Sequence, residues 1–321
     1  MEIEEIKIED LDPNKFIEKQ CRAIAGETGN DMVVNALSGG VDSSVATMLA
    51  HRAIGNRLKT YFIDNGLMRK KEPESVVETM TRLGVPMELV DARKEFFSAL
   101  QGVTDPEEKR QVITDTFYQN VFGRLVKESG AGFLLQGTIY TDVEETVAGI
   151  KRQHNILSQL GIDTKKAYGY KVIEPVIALR KTAVRAVGKA LGLPESVYNR
   201  PPFPGPALVT RIIGEVTPER LELVREATAI VEEELSNVDA FQYLAVLHED
   251  RVTGVRQGAR LFGNQVEIRC WDSMDGTVAS PTRLPFDILE KIAARITAEI
   301  DEVVSVTYNI TTKPPSTIEA L

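Results

Sequence analysis

Over roughly the first 190 residues, short apolar runs alternate with longer stretches of helical periodicity. Met32 to Leu37, Leu58 to Ile63, Pro86 to Val90, Gly132 to Gln136 and Lys171 to Glu174 read as buried strands. Val45 to Ala53, Glu74 to Leu83 and Arg110 to Glu128 read as helices between them. Strand and helix alternating in this way predict an α/β fold with a doubly wound parallel sheet, whose ligands bind beyond the carboxyl ends of the strands. From Thr141 to Tyr170 periodicity fades and charge rises. A connection of that length inside a compact domain points to function, and a lid over a bound ligand is expected at about 141–170. The proline-rich stretch Arg200-Pro201-Pro202-Phe203-Pro204-Gly205-Pro206 then marks a boundary, giving expected domains of 1–199 and 200–321.

The second half reads differently. A helix from Pro218 to about Leu235 has Thr217 as N-cap and proline at its first position. Strand-like runs follow at Gln242 to Leu247, Gln265 to Trp271 and Val303 to Ile310, and Leu289, Ile292, Ile296 and Ile300 form one helical stripe. A small α+β domain is expected.

The first core strand leads into Ser38-Gly39-Gly40-Val41-Asp42-Ser43-Ser44 and then a helix. Two glycines allow positive φ and close backbone approach, and the free N–H groups of a helix start attract anions, so this loop is a phosphate site. No lysine follows the glycines, which excludes the loop that holds the β and γ phosphates of kinases and GTPases. Asp42 stands instead where positive charge would be wanted. A carboxylate beside phosphates implies an intervening cation, most simply Mg²⁺ shared with substrate oxygens. Two further strand ends run into turns, Asp64-Asn65-Gly66 and Gln136-Gly137-Thr138. Asp64 is a candidate for a ribose or base, and Gly137 and Thr138 for close approach to a nucleotide.

Composition narrows the class. The chain has 321 residues, 43% of them hydrophobic, and a net charge of −9, which argues against a long nucleic-acid groove. No apolar stretch approaches the roughly 20 residues of a membrane span, and the acidic N-terminus does not resemble a signal peptide, so a cytoplasmic protein is expected. Two cysteines and three scattered histidines provide no disulfide framework or clustered metal site.

The Ser-Gly-Gly-x-Asp-Ser loop resembles that of the ATP pyrophosphatases, which cleave ATP between its α and β phosphates. Together with Asp64 to Arg69, Asp105 to Arg110, Gln136 to Tyr140, Pro202 to Pro206, Gly214-Glu215-Val216 and Lys313 to Glu319, it makes the chain resemble the ATP pyrophosphatase subunits of the GMP synthase family. The resemblance implies that Ser38 to Ser44, with Asp64, Gly137 and Thr138, bind ATP, and that Asp42 places Mg²⁺. It implies that Asp142 and Glu145 are the acidic pair of a lid and Lys151 its basic residue, acting as pyrophosphate leaves. Arg110, Pro204, Lys313, Ile318 and Glu319 fall at positions that contact XMP. The implied reaction is adenylylation of XMP followed by amination to GMP and AMP. Implied partners are a separate glutaminase, because this chain begins too close to the loop to hold one, and a second copy of the chain through the C-terminal domain.

Some positions differ from the family pattern. The lid carries Ile156-Leu157-Ser158, Ser305 stands where an arginine is usual, the Gln-Gly-Asp run appears as Arg256-Gln257-Gly258, and the chain ends Ala320-Leu321. Arg256 is a candidate substitute for the missing arginine. Two other readings remain open: an adenylylating relative with a different carbonyl acceptor, and a non-catalytic nucleotide-binding protein.

Overall fold

The computed structural model describes residues 3–147, 170–199, 203–274 and 276–320. Its first sheet is built from β1 (Val33–Ala36), β2 (Leu58–Asp64), β3 (Met87–Asp91), β4 (Phe133–Leu135) and β5 (Lys171–Ile173). They lie in the order β3-β2-β1-β4-β5; β1 runs parallel to β2 and β4, and β4 to β5. All five coincide with apolar runs in the sequence. The order reverses at β1, whose neighbours β2 and β4 lie on opposite sides, and a crevice for ligands opens where such a reversal occurs.

The helices of the first half are α1 (Pro13–Thr28), α2 (Val41–Ile54), α3 (Glu72–Arg82), α4 (Arg93–Leu100), α5 (Pro106–Asp115), α6 (Gly123–Ser129), α7 (Tyr140–Val147), α8 (Lys181–Ala190) and α9 (Glu195–Tyr198). Phe16 and Ile24 of α1, Val45 and Leu49 of α2, and Val184 and Val187 of α8 share one buried cluster with Val33, Phe133 and Leu135 of the sheet. That apolar burial, about 25 cal/mol per Å², holds the helices on the sheet.

Two differences from the sequence reading have physical causes. The helix expected from Arg110 to Glu128 is interrupted by a π-helical stretch at Thr116–Phe122, a wider coil that hydrophobic spacing alone does not reveal. The start of the aperiodic 141–170 segment forms α7, braced by Arg180, whose guanidinium bonds Glu144 (2.8 Å) and Glu5 (2.9 Å) and lies 5.0 Å from the Tyr140 ring. Residues 148–169 of the expected lid, Lys151 among them, lie outside the described residues.

Compactness divides the chain into two interleaved units. One comprises residues 1–63, 73–91 and 119–200; the other comprises 64–72, 92–118 and 201–321. The second unit thus takes in Asp64 to Glu72 and α4 with α5, besides everything after the proline-rich break.

In that second unit α10 (Pro218–Glu234) starts at Thr217, whose hydroxyl accepts from the Arg220 N–H. The sheet consists of β6 (Gln242–Arg256), β7 (Ala259–Asp272), β8 (Ser280–Pro281) and β9 (Val303–Tyr308), with α11 (Phe286–Glu299) before β9. β6 and β8 run antiparallel to β7, and β9 parallel to it. The β6–β7 hairpin turns on Gln257 and Gly258, both at positive φ, as a two-residue turn matched to strand twist requires. Both strands extend past the apolar runs, because their outer halves are exposed and carry little hydrophobic signal.

Val304 of β9 crosses this hairpin at two glycines. A β-carbon on Gly254 would lie 2.7 Å from the Val304 Cβ, and one on Gly263 would collide with the Val304 methyls and come within 2.9 Å of the Glu302 carbonyl oxygen. Gly263→Ala is expected to destabilise the protein by about 1–3 kcal/mol. Adding Val304→Ala removes the methyl clash but not the carbonyl, so urea unfolding of the double variant should recover part of the loss.

Candidate active site

The phosphate loop is built as its residue types dictate. Helix α2 begins at Val41, with Gly40 as N-cap, and its first helical N–H bond is that of Ser44 to Gly40 (3.0 Å). The N–H groups of Val41, Asp42 and Ser43 therefore have no acceptor within the helix. Gly39 takes φ 79°, a conformation that favours glycine. Ser38 and Ser43 hydroxyls lie 2.9 Å apart, and Ser43 also donates to the Gly40 carbonyl (3.0 Å). Beneath them Thr47 donates to Ser43 O (2.7 Å) and receives a bond from the Asn35 amide (2.7 Å), tying the loop to β1.

The turn after β4 closes on this loop. A β-carbon at Gly137 would lie 2.7 Å from Ser43 N and 2.8 Å from the Asp42 carbonyl carbon, so only glycine fits. Thr138 is buried, and its hydroxyl has no hydrogen-bond partner among the described residues. Asp142, in the first turn of α7, accepts from the Ile139 N–H (3.0 Å). Gly137, Thr138 and Asp142 thus join Ser38 to Ser44 in one place.

Asp42 occupies the centre of this arrangement. Burial pushes its carboxyl above the ordinary value, Lys181 opposes this most strongly, and the Asp142 charge adds to the rise while Arg185 lowers it. Lys181 bonds Asp42 Oδ2, whereas the buried Oδ1 has no partner among the described residues. Sequence reasoning did not single out Lys181 or Arg185; their available signal is a pair of cations four residues apart at the start of a helix. Among the described residues no group of three or more His, Cys, Asp or Glu side chains forms a metal cage. The donor set of Asp42 Oδ1 beside Asp142 suits a divalent ion that takes its remaining ligands from phosphate oxygens.

The other expected residues fall in the second unit. Asp64 is engaged locally: it accepts from the Gly66 N–H (2.9 Å) and lies 3.7 Å from Arg93. Helix α5 has Asp105 as N-cap and Pro106 at its first position, and it exposes Arg110, 3.7 Å from Glu107. Its neighbour Lys109 is only 1% exposed and donates to the carbonyls of Ile212 (2.9 Å) and Gly214. Burial, and then Arg220, pull its pKa down to about 8. Pro204 accepts from the Ala207 N–H (2.9 Å), and the adjacent Phe203 ring packs under Arg69 at 4.0 Å and Arg211 at 5.1 Å.

The tail Lys313–Glu319 is pinned along its length. Lys313 Nζ donates to the Gly276 carbonyl (2.6 Å), Arg269 Nη1 to that of Thr317 (2.9 Å), and Ile318 packs with Trp271, Leu244 and Val246. Glu319 accepts from Arg211 and Gln242, neither of which the sequence reading named. Arg256 is held by Asp301 and the Thr297 carbonyl, so its guanidinium is committed to the end of α11. The Glu145 side chain and Lys151 lie outside what the structure describes.

Along the sequence, residues 14–205 match the profile of the family described as NAD synthase, and residues 229–320 that of the GMP synthase C terminal domain. Whole-length similarity decides between the two. Over 310 residues the chain is 48% identical to the B subunit of the glutamine-hydrolyzing GMP synthase of Archaeoglobus fulgidus, covering 96% of this chain and 99% of that one. It is 47% identical over 308 residues to the corresponding protein of Pyrococcus furiosus (95% and 96% covered) and 44% over 314 to that of Methanocaldococcus jannaschii (96% and 99%). The chain belongs to the family of GMP synthase B subunits. For this family the NAD synthase match covers the half that carries the phosphate loop, and the other match covers most of the C-terminal sheet and the tail. Among the described residues no helix is long and apolar enough to cross a membrane.

Two expectations follow. Gly137→Ala should leave the fold intact while pushing the phosphate loop out of register, lowering ATP turnover roughly 100-fold in a pyrophosphate-release assay. Glu267 governs stability in acid: burial favours its neutral form, but hydrogen bonds from His248 (2.8 Å), Asn309 (2.9 Å) and Arg269 (2.5 Å) outweigh that and hold its pKa at about 2. Depressed from 4.5, this group stabilises the fold by roughly 3 kcal/mol above the unfolded value, and that contribution is lost as pH falls from about 4.5 to 2. Glu267→Gln should flatten this part of the stability-versus-pH curve in denaturant titrations.

Proposed function

We propose that this protein is the ATP pyrophosphatase component of a two-subunit GMP synthase, a carbon–nitrogen ligase. The observation that carries the reading is the cradle at the sheet reversal, where the first turn of α2 bears Asp42, whose buried Oδ1 has no partner among the described residues, in a chain that also carries a C-terminal region of the GMP synthase type.

In this reading ATP binds with its phosphates against Ser38, Gly39, Gly40, Val41, Ser43, Ser44, Gly137 and Thr138. Mg²⁺, held by Asp42 with phosphate oxygens, would neutralise charge on the phosphates. The C2 oxygen of XMP forms a bond to the α-phosphorus, the bond to the bridging α–β oxygen breaks, and pyrophosphate leaves. Ammonia then attacks C2, loses a proton, and the bond from C2 to the AMP oxygen breaks to give GMP. Neither step requires a protein nucleophile; both depend on alignment and on compensation of charge. Lys181 and Arg185 supply positive charge near Asp42, and Lys151, with Asp142 and Glu145, is assigned to the departing pyrophosphate. Asp64 is assigned to the nucleoside of ATP. Arg110, Pro204, Lys313, Ile318 and Glu319 are assigned to XMP.

The family name designates one subunit of an enzyme, and we infer a separate glutaminase as the partner that supplies ammonia. Pairing of two copies through the C-terminal domain and a cytoplasmic setting complete the proposal. The purified chain with Mg-ATP, XMP and a high concentration of ammonium is expected to yield GMP and AMP in equal amounts, strictly dependent on XMP. Glutamine should not replace ammonium, and Asp42→Ala should abolish pyrophosphate release. AMP formed without XMP, or no AMP at all, counts against this acceptor.

A further inference from the structure

Arg211 closes the short 3-10 turn Ala207–Arg211 that follows the Pro-Phe-Pro-Gly-Pro segment, and its side chain is 1% exposed. Its Nε and Nη2 each lie 3.1 Å from a different oxygen of Glu319, the two-point geometry that a guanidinium fork makes with a carboxylate. Gln242 Nε2 adds a bond to Oε1 (2.6 Å), and the Thr210 hydroxyl, shared with the Ala207 carbonyl, lies 3.2 Å from Oε2. Each carboxylate oxygen therefore already has two neighbours, close to its full capacity, and little remains for a ligand. A carboxylate so engaged fixes its own segment in place.

The same guanidinium is 5.1 Å from the centre of the Phe203 ring, which also packs with Arg69, and Leu208 in the same turn donates to the Leu67 carbonyl (3.0 Å). One buried side chain thus joins the tail to the Phe203–Pro206 turn, and that turn to the segment after Asp64. Stability alone does not explain the arrangement. Arg211 Nη1 is buried without a partner among the described residues, and a buried ion pair that leaves a donor unmet is a poor substitute for apolar packing.

We propose that Arg211 is a positioning residue for the acceptor: it fixes Glu319 and the last turn of the tail in the one arrangement that receives XMP. The inference rests on the assignment of the tail to XMP. Steady-state kinetics with saturating ammonium test it in Arg211→Met and Arg211→Lys. Both should raise KM for XMP about tenfold or more while KM for ATP stays within about twofold, since lysine cannot span both carboxylate oxygens. Gln242→Leu keeps the ion pair and removes one bond, so it should move KM for XMP in the same direction by about threefold; it decides the matter if the Arg211 variants do not fold. An unmoved KM for XMP, or a parallel rise in both constants, overturns the inference alone. Wild-type protein that makes no GMP from XMP overturns the functional reading and this inference with it.

Discussion

The absence of a side chain at Gly137 sets the geometry of the nucleotide half. There the backbone after β4 is pressed against Ser43 and Asp42. Everything else there follows from that approach. The first turn of α2 lies beside the turn after β4, Asp142 comes near enough to raise the Asp42 pKa, and Lys181 answers the resulting negative charge. A bulkier residue at this position would force the two backbones apart.

The C-terminal unit works by a different rule. Its sheet is apolar where it packs, yet Arg211, Arg269 and Lys109 are each less than a tenth exposed. Their partners are largely carbonyls and carboxylates of loops and tail. Buried charge contributes little net stability once desolvation is counted, but it penalises every alternative arrangement of those loops. Segments with no regular secondary structure are thereby held in one shape.

Legibility in the sequence followed the same division. The strands of the first sheet, the start of α2 and the glycine turn after β4 were readable because each rests on a local signal: an apolar run, a helix start, a glycine. The helix Tyr140–Val147 and the π-helical stretch at Thr116–Phe122 were not, since bonds to Arg180 stabilise one and hydrophobic spacing does not separate a π coil from an α coil. The positions of Arg110, Lys313, Ile318 and Glu319 emerged from resemblance, but Arg211, Gln242 and Arg269 did not. Each is a polar residue within or beside an apolar run, and its meaning depends on a partner more than 40 residues away. Glu319 illustrates the limit: the sequence marks it as important, whereas only the fold reveals that its carboxylate is occupied.

The interleaving of the two units has a consequence for how the chain is made. Residues 64–72 and 92–118 emerge from the ribosome early, but the surface they pack against lies beyond residue 200. At a synthesis rate of about 5–20 residues per second, those segments wait several seconds or longer for their partners. The parallel sheet meanwhile has its own strands at hand by Ile173. The first unit is therefore suited to form first, with segments 64–72 and 92–118 still unpacked, and completion of the second is deferred until the tail itself has been synthesised.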